Sequence, residues 1–189
     1  MPRFLLLLLC TLPITVFGQQ KFERESRIRI DQVPEAAQQF LQAGQIDVKI
    51  KWYYEENLEG NSIEAKFRQD GQRFSVEFDT LGQIQDIEIE ISPTELPAPT
   101  LLSIEGELGS RFRRFKLQKI QVQYIDTETA LTELLLRYPE VGQAQVRYEI
   151  VLKGRNEEGT ALYECTFDQS GKLLEQRQII FKNANHLEY

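Results

Sequence analysis

Beyond its first 18 residues the chain carries one cysteine, Cys165, and its one histidine, His186. A working thiol–imidazole pair needs an accessible cysteine whose pKa is depressed. Cys165 instead alternates with Tyr163 and Phe167 and is expected to point inward with them, where an apolar setting leaves a thiol inert. His186 stands at the C-terminal end, where chains fray. Histidine-based transition-metal sites lack ligands for the same reason. The 29 acidic residues are the remaining reactive stock. Asp79-Thr80-Leu81-Gly82 and Asp168-Gln169-Ser170-Gly171 offer oxygen ligands but lack the further alternating acids of a calcium loop. They read as turns in which Asp accepts backbone N–H groups and Gly takes the left-handed position. Asp86, Glu88 and Glu90 share one face of a strand and are read as a solvated row opposite Lys or Arg of a neighbour, not as catalytic acids. No catalytic, metal-binding or cofactor-binding residue is expected, and no cofactor; a hydrolase built on carboxylates is the third of three functional readings.

Binding chemistry has more to work with. Lys49, Lys51, Tyr53, Lys66 and Arg68 fall on the outward face of the first strands, opposite Glu64 and Glu77. Mixed charge around a tyrosine suits a protein-binding surface, and cross-strand ion pairing accounts for it equally. Arg111, Arg113, Arg114, Lys116 and Lys119 form a second basic group, either a patch that steers an acidic partner or a charged edge that discourages aggregation. Trp52 falls on the inner face and is read as core. The net charge is −7; Arg3 is the one charged residue in 1–18, so without that segment 21 basic residues stand against 29 acidic, or −8. Such a balance excludes nucleic acid as the expected partner.

The elements that must carry these side chains follow from patterning. Residues 1–18 combine Arg3, an apolar run from position 4 and small residues at Val16 and Gly18, the form of a secretory signal peptide. Cys10 belongs to that run, since Leu7-Leu8-Leu9 lacks the small residues that precede a lipidated cysteine. One cysteine then remains, which rules out an internal disulfide. Residues 74–84 recur as 163–173 at a constant offset of 89: Phe74, Val76, Phe78, Asp79, Gly82 and Ile84 answer to Tyr163, Cys165, Phe167, Asp168, Gly171 and Leu173. This is read as one β-rich unit written twice.

In the first copy, 21–30 is a flexible lead-in or edge strand, and Pro34 opens a helix whose Ala37, Phe40 and Leu41 share a face before Gly44. Four strands are expected next, through Ile46 to Tyr54, Ile63 to Phe67, Phe74 to Phe78 and Ile87 to Ile91, with Asp70-Gly71 as a hairpin turn. Pro93, Pro97 and Pro99 mark a linker over 92–100. The second copy adds an inserted helix with Leu131, Leu134 and Leu135 on one stripe, covering the far face or the junction of the copies. Its last strand departs from the pattern, with Gln176 and Gln178 where Ile87 and Ile89 would stand. The expected fold is α+β: two tandem modules, each a helix packed on an antiparallel β-meander, over 19–91 and 101–182, with a tail at 183–189.

Val33-Pro34-Glu35 before a helix, Trp52-Tyr53-Tyr54, Ser62-Ile63-Glu64-Ala65-Lys66-Phe67 and Ser75-Val76-Glu77-Phe78-Asp79-Thr80-Leu81-Gly82, echoed by Tyr148-Glu149-Ile150 and by 167–171, resemble the PepSY-like family of exported bacterial proteins. That family is grouped with β-lactamase-inhibitor-like folds. The resemblance implies a non-enzymatic module of the periplasm or cell surface that docks to or inhibits another exported protein, and it brings no catalytic residues. The alternative is a carrier of a small ligand or lipid, with its pocket between helix and sheet.

Overall fold

The computed structural model describes residues 19–58, 60–140 and 144–180; the segment 1–18 read as a signal peptide, His186 and the expected tail lie outside them. Ten strands alternate with three helices: β1 (Gln19–Lys21), β2 (Glu23–Ile28), α1 (Glu35–Ala43), β3 (Lys51–Asn57), β4 (Asn61–Gln69), β5 (Gln72–Asp79), β6 (Ile84–Glu90), α2 (Ala98–Arg111), β7 (Arg114–Ile125), α3 (Glu128–Arg137), β8 (Gln145–Arg155), β9 (Thr160–Asp168) and β10 (Leu173–Ile179). All ten strands form one sheet in the order β1-β10-β9-β8-β7-β6-β5-β4-β3-β2. The expectation of two helix-on-meander modules is thereby overturned. β6 pairs with β7, Ile87 opposite Tyr124 and Ile89 opposite Val122, so the sheet runs unbroken through the middle of the chain. The sheet is mixed, because β1 lies parallel to β10 while every other pair is antiparallel.

One apolar face of this sheet carries the helices. Ala65, Val76, Phe78, Ile87, Ile89, Ile150, Leu152, Cys165 and Phe167 are all fully buried there, as the period-two alternation demands. α1 lays Ala37, Phe40 and Leu41 on it, Phe40 meeting the Phe78 ring edge-on at 5.6 Å. α2 contributes Ile104 and Leu108. α3 contacts α1 and β6, and Leu135 packs against Gly44. Tyr138, just beyond it, meets Phe74 edge-on at 5.4 Å. This contact ties the inserted segment to strands of the first half.

Two corrections concern boundaries. α2 begins at Ala98 and runs to Arg111, so the end of the proline-rich stretch is the first turn of a helix, where a proline costs no hydrogen bond. β3 starts at Lys51; residues 46–50 lie outside the strand despite their alternation. The two Asp-x-x-Gly turns behave as expected and alike. Asp79 Oδ1 accepts from the N–H of Leu81 and Gln83, and Asp168 Oδ1 from those of Ser170 and Lys172. Gly82 and Gly171, at φ +88° and +84°, press on α1 and α2, where a Cβ would lie 2.8 Å from Pro34 Cβ and 2.6 Å from the Thr100 carbonyl oxygen.

β1 and β2 sit at opposite ends of the strand order yet are separated by Phe22 alone. Laid flat, ten strands at about 4.8 Å spacing would hold those edges about 43 Å apart. The backbone from Lys21 to Glu23 spans at most about 7 Å. The sheet is therefore rolled nearly shut, with its helix-bearing face outside and its polar face inside.

Candidate functional site

Rolling turns the polar face of the sheet into a lumen. One end of it, a cavity of about 460 Å³, is lined from every strand except β2. The other end, about 640 Å³, shares Lys21, Glu55, Glu77, Glu88, Glu149 and Glu164 with the first. Five of the six shared residues are glutamates, each placed there because alternation sends its strand's apolar partners to the helices. Of the row Asp86, Glu88 and Glu90, only Glu90 behaves as expected, pairing with Arg73 of the neighbouring strand at 3.0 Å; Asp86 and Glu88 are buried, 8 % and 6 % exposed. Their hydrogen-bond partners are amides, not Lys or Arg. Gln123 Nε2 donates to Asp86 Oδ2 at 3.1 Å and Gln121 Nε2 to Glu88 Oε2 at 2.6 Å.

Converging carboxyls in a low-dielectric lumen hold their protons. Burial, then Asp86, Glu64 and Glu149, push Glu77 up to about 8. Burial raises Asp86 to about 7, with the Gln123 bond opposing and Glu64 assisting. Glu88 is driven well above the usual range by burial and by Glu149, Asp86 and Glu77. Glu164 rises to about 7 through burial and Glu149, although Lys21 Nζ lies 2.5 Å from its Oε2. Glu64 is the exception. Burial opposes its ionisation, but hydrogen bonds from Glu55, Lys66 and Ser75 and the charge of Lys66 hold it below its ordinary value. Lys66 Nζ reaches both Glu64 Oε2 and Glu25 Oε1 at 2.7 Å, and this ammonium occupies the place where Glu25, Glu55 and Glu64 otherwise bring three carboxylates together.

The sequence-derived candidates fall in two places. Lys49, Lys51, Lys66 and Arg68 line the larger mouth, joined by Arg73 and Lys119. Tyr53 stands beneath Lys66, whose Nζ is 5.2 Å from its ring centre. The second group is separate: Arg111 pairs with Glu107 at the end of α2, Arg113 with Glu157, and Arg114 and Lys116 lie opposite Arg155 and Lys153 in the β7–β8 hairpin. Trp52 is core, 6 % exposed. Cys165 is fully buried, its thiol pushed up to about 12 by burial, as the inward reading requires. Sequence reasoning placed Glu77 on an outward face and missed Glu149, Glu164 and Lys21. The signal available was a second, acidic register on β5, β8 and β9, which alternation alone assigns to solvent.

The space between helices and sheet is filled by side chains of zero exposure, including Ala37, Ile104 and Leu108. On that side an open groove of about 570 Å³ runs beside Leu41, Ile46, Ile50 and Trp52, at the end of α1.

No family model and no curated protein matches the chain in sequence. Solved structures do match in shape. A DUF2874 family protein of Bacteroides ovatus superposes with a TM-score of 0.51 at 16 % identity, over 77 % of this chain and 87 % of that one. The fold is shared with DUF2874 proteins. A candidate periplasmic protein of Bacteroides eggerthii gives 0.52 at 18 % identity, over 77 % of this chain and 88 % of its own. A BLIP-like protein of Bacteroides fragilis gives 0.49 at 18 % identity, over 82 % and 92 %. Among the described residues no helix is long and apolar enough to cross a membrane.

Proposed function

We propose that this chain is an exported, non-enzymatic binding module of the PepSY-like kind, acting in the periplasm or at the cell surface, whose larger lumenal mouth docks to a charged surface of another exported protein. The observation that carries this reading is the ring of Lys49, Lys51, Lys66, Arg68, Arg73 and Lys119 around an acidic floor. Charges of both signs, fixed on a rigid sheet, give orientation and partner choice more than bulk affinity. The repeat at offset 89 supports the family reading, as do the matching turns on α1 and α2. The partner-binding residues on this reading are Lys49, Lys51, Tyr53, Lys66 and Arg68; the hairpin cluster of Arg111, Arg113, Arg114 and Lys116 is a separate surface.

A photo-crosslinking residue at Lys51, compared with one at Leu102 on the exposed side of α2, tests this in the native envelope. One discrete adduct from position 51 and none from 102 is expected. Adducts from 102 alone, or none from either, would discard the docking reading. The groove beside Trp52 favours a second reading, a small apolar ligand carried on the helix side. Native mass spectrometry of protein from its own envelope would show a retained mass in that case.

A further inference from the structure

The larger lumenal mouth has cations left over once its own ion pairs are made. Lys66 is held by Glu25 and Glu64, and Arg73 by Glu90. Among the described residues Lys49, Lys51, Arg68 and Lys119 have no carboxylate within 4.0 Å, and all four are exposed. Most carboxyls of this mouth lie beneath them, Glu55, Glu64, Glu88 and Glu164 being buried. Burial also keeps protons on Glu77, Glu88 and Glu164, which lessens the negative charge under the rim. We propose that the rim takes an extended acidic segment of a partner protein, whose carboxylates meet Lys51, Arg68 and Lys119. The proposal deepens the docking reading above and rests on it.

Strand register supplies a second observation. β3 and β4 set Lys51 opposite Lys66, and β4 and β5 set Arg68 opposite Arg73. Like charges directly opposite one another weaken a sheet, and an anionic chain laid across both pairs turns that cost into attraction. Lys66 and Arg68 stand two residues apart on β4, about 6.8 Å, which is the pitch at which an extended chain presents alternate side chains. The uncompensated cations reach from β3 to β7, about 19 Å along the sheet, so they form a row and not a cage for one small anion. A bilayer fits less well, because surfaces that bind lipid set apolar side chains beside their cations. Among the described residues no exposed large apolar side chain lines this mouth, and its Phe67 and Phe74 are buried. The β7–β8 hairpin also opposes cations, Arg114 to Arg155 and Lys116 to Lys153, but these line neither end of the lumen.

Isothermal titration of the full chain with an alternating Glu-Ser peptide, its Gln-Ser counterpart, inorganic phosphate and phosphatidylglycerol vesicles tests the proposal. The Glu-Ser peptide is expected to bind one to one, more weakly as salt rises, and the other three are not. Lys51→Gln with Arg68→Gln and Lys119→Gln should weaken that binding about tenfold or more. Arg137→Gln with Lys153→Gln and Arg155→Gln removes as many charges away from the lumen and should leave it nearly unchanged. Circular dichroism checks that both variants are folded. Equal losses in the two variants, equal binding of the Gln-Ser peptide, or binding of phosphate or vesicles in place of the Glu-Ser peptide would overturn it. A crosslinked adduct at position 51 with no binding of the Glu-Ser peptide overturns the acidic segment and leaves the docking reading standing; no adduct and no binding removes both.

Discussion

Replacing Asp86 by asparagine should make the protein more resistant to unfolding at alkaline pH and leave it nearly unchanged in acid. The side chain is 8 % exposed, beside Glu77 and Gln123 on the neighbouring strands and within the fields of Glu64, Arg147 and Lys21. Its pKa is about 7 in the folded protein against an ordinary 3.8. The folded state thus keeps a proton that the unfolded chain has already released, so stability falls as pH rises from about 4 to about 7 and stays low above. Between pH 5.5 and the folded value near 7 the loss is about 1.5 pH units, or about 2 kcal/mol at about 1.4 kcal/mol each. Asparagine keeps the acceptor for Gln123 Nε2 and cannot ionise. Urea unfolding at pH 5.5 and 8.5, at one ionic strength, should show the variant gaining about 2 kcal/mol over the parent between the two conditions. For a chain of this size that corresponds to about 4–8 °C in Tm. Glu56→Gln, on an exposed ion pair with Arg24, is the control and should shift neither. An Asp86→Asn effect of equal size at both pH values would refute the reasoning, because a purely structural perturbation carries no pH dependence.

Gly171→Ala should cost about 2–4 kcal/mol in denaturant unfolding, since it adds a positive-φ strain to a Cβ 2.6 Å from the Thr100 carbonyl oxygen, while Gly71→Ala, strained but in open space, should cost about 1 kcal/mol. Leu135→Ala should cost about 2–4 kcal/mol, because this buried side chain joins α3 to Gly44 after α1 and the site cannot collapse around a rigid glycine turn. Cys165 should resist maleimide labelling in the native protein at pH 8 and react fully in urea; labelling at a free-thiol rate without denaturant would show the β9 core to be open.

Much of the fold was legible along the chain because its signals are local. Alternation in Phe74, Val76 and Phe78 and in Tyr163, Cys165 and Phe167 decides which side chains face the helices, and both sets are buried. Asp70-Gly71 adopts positive φ at both residues, as a tight hairpin requires. The stripe of Leu131, Leu134 and Leu135 placed the inserted helix. The sequence-level reading went wrong at Ile46, Val48 and Ile50, where alternation is present but the strand begins only at Lys51; pairing with a neighbour, not pattern, decides a strand's start.

Residue order by itself determined two faces, two like turns and a core with an inert thiol. Only the tertiary structure decided that the second face is an interior. Whether Asp86 and Glu88 meet water depends on the curvature of ten strands, and that curvature follows from β1 pairing with β10, Gln19 opposite Arg177, while Phe22 alone joins β1 to β2 at the other edge. Period-two alternation is a property of a single strand and is blind to such closure. The same glutamates on a flat sheet would be solvated; rolled inward, they become a site.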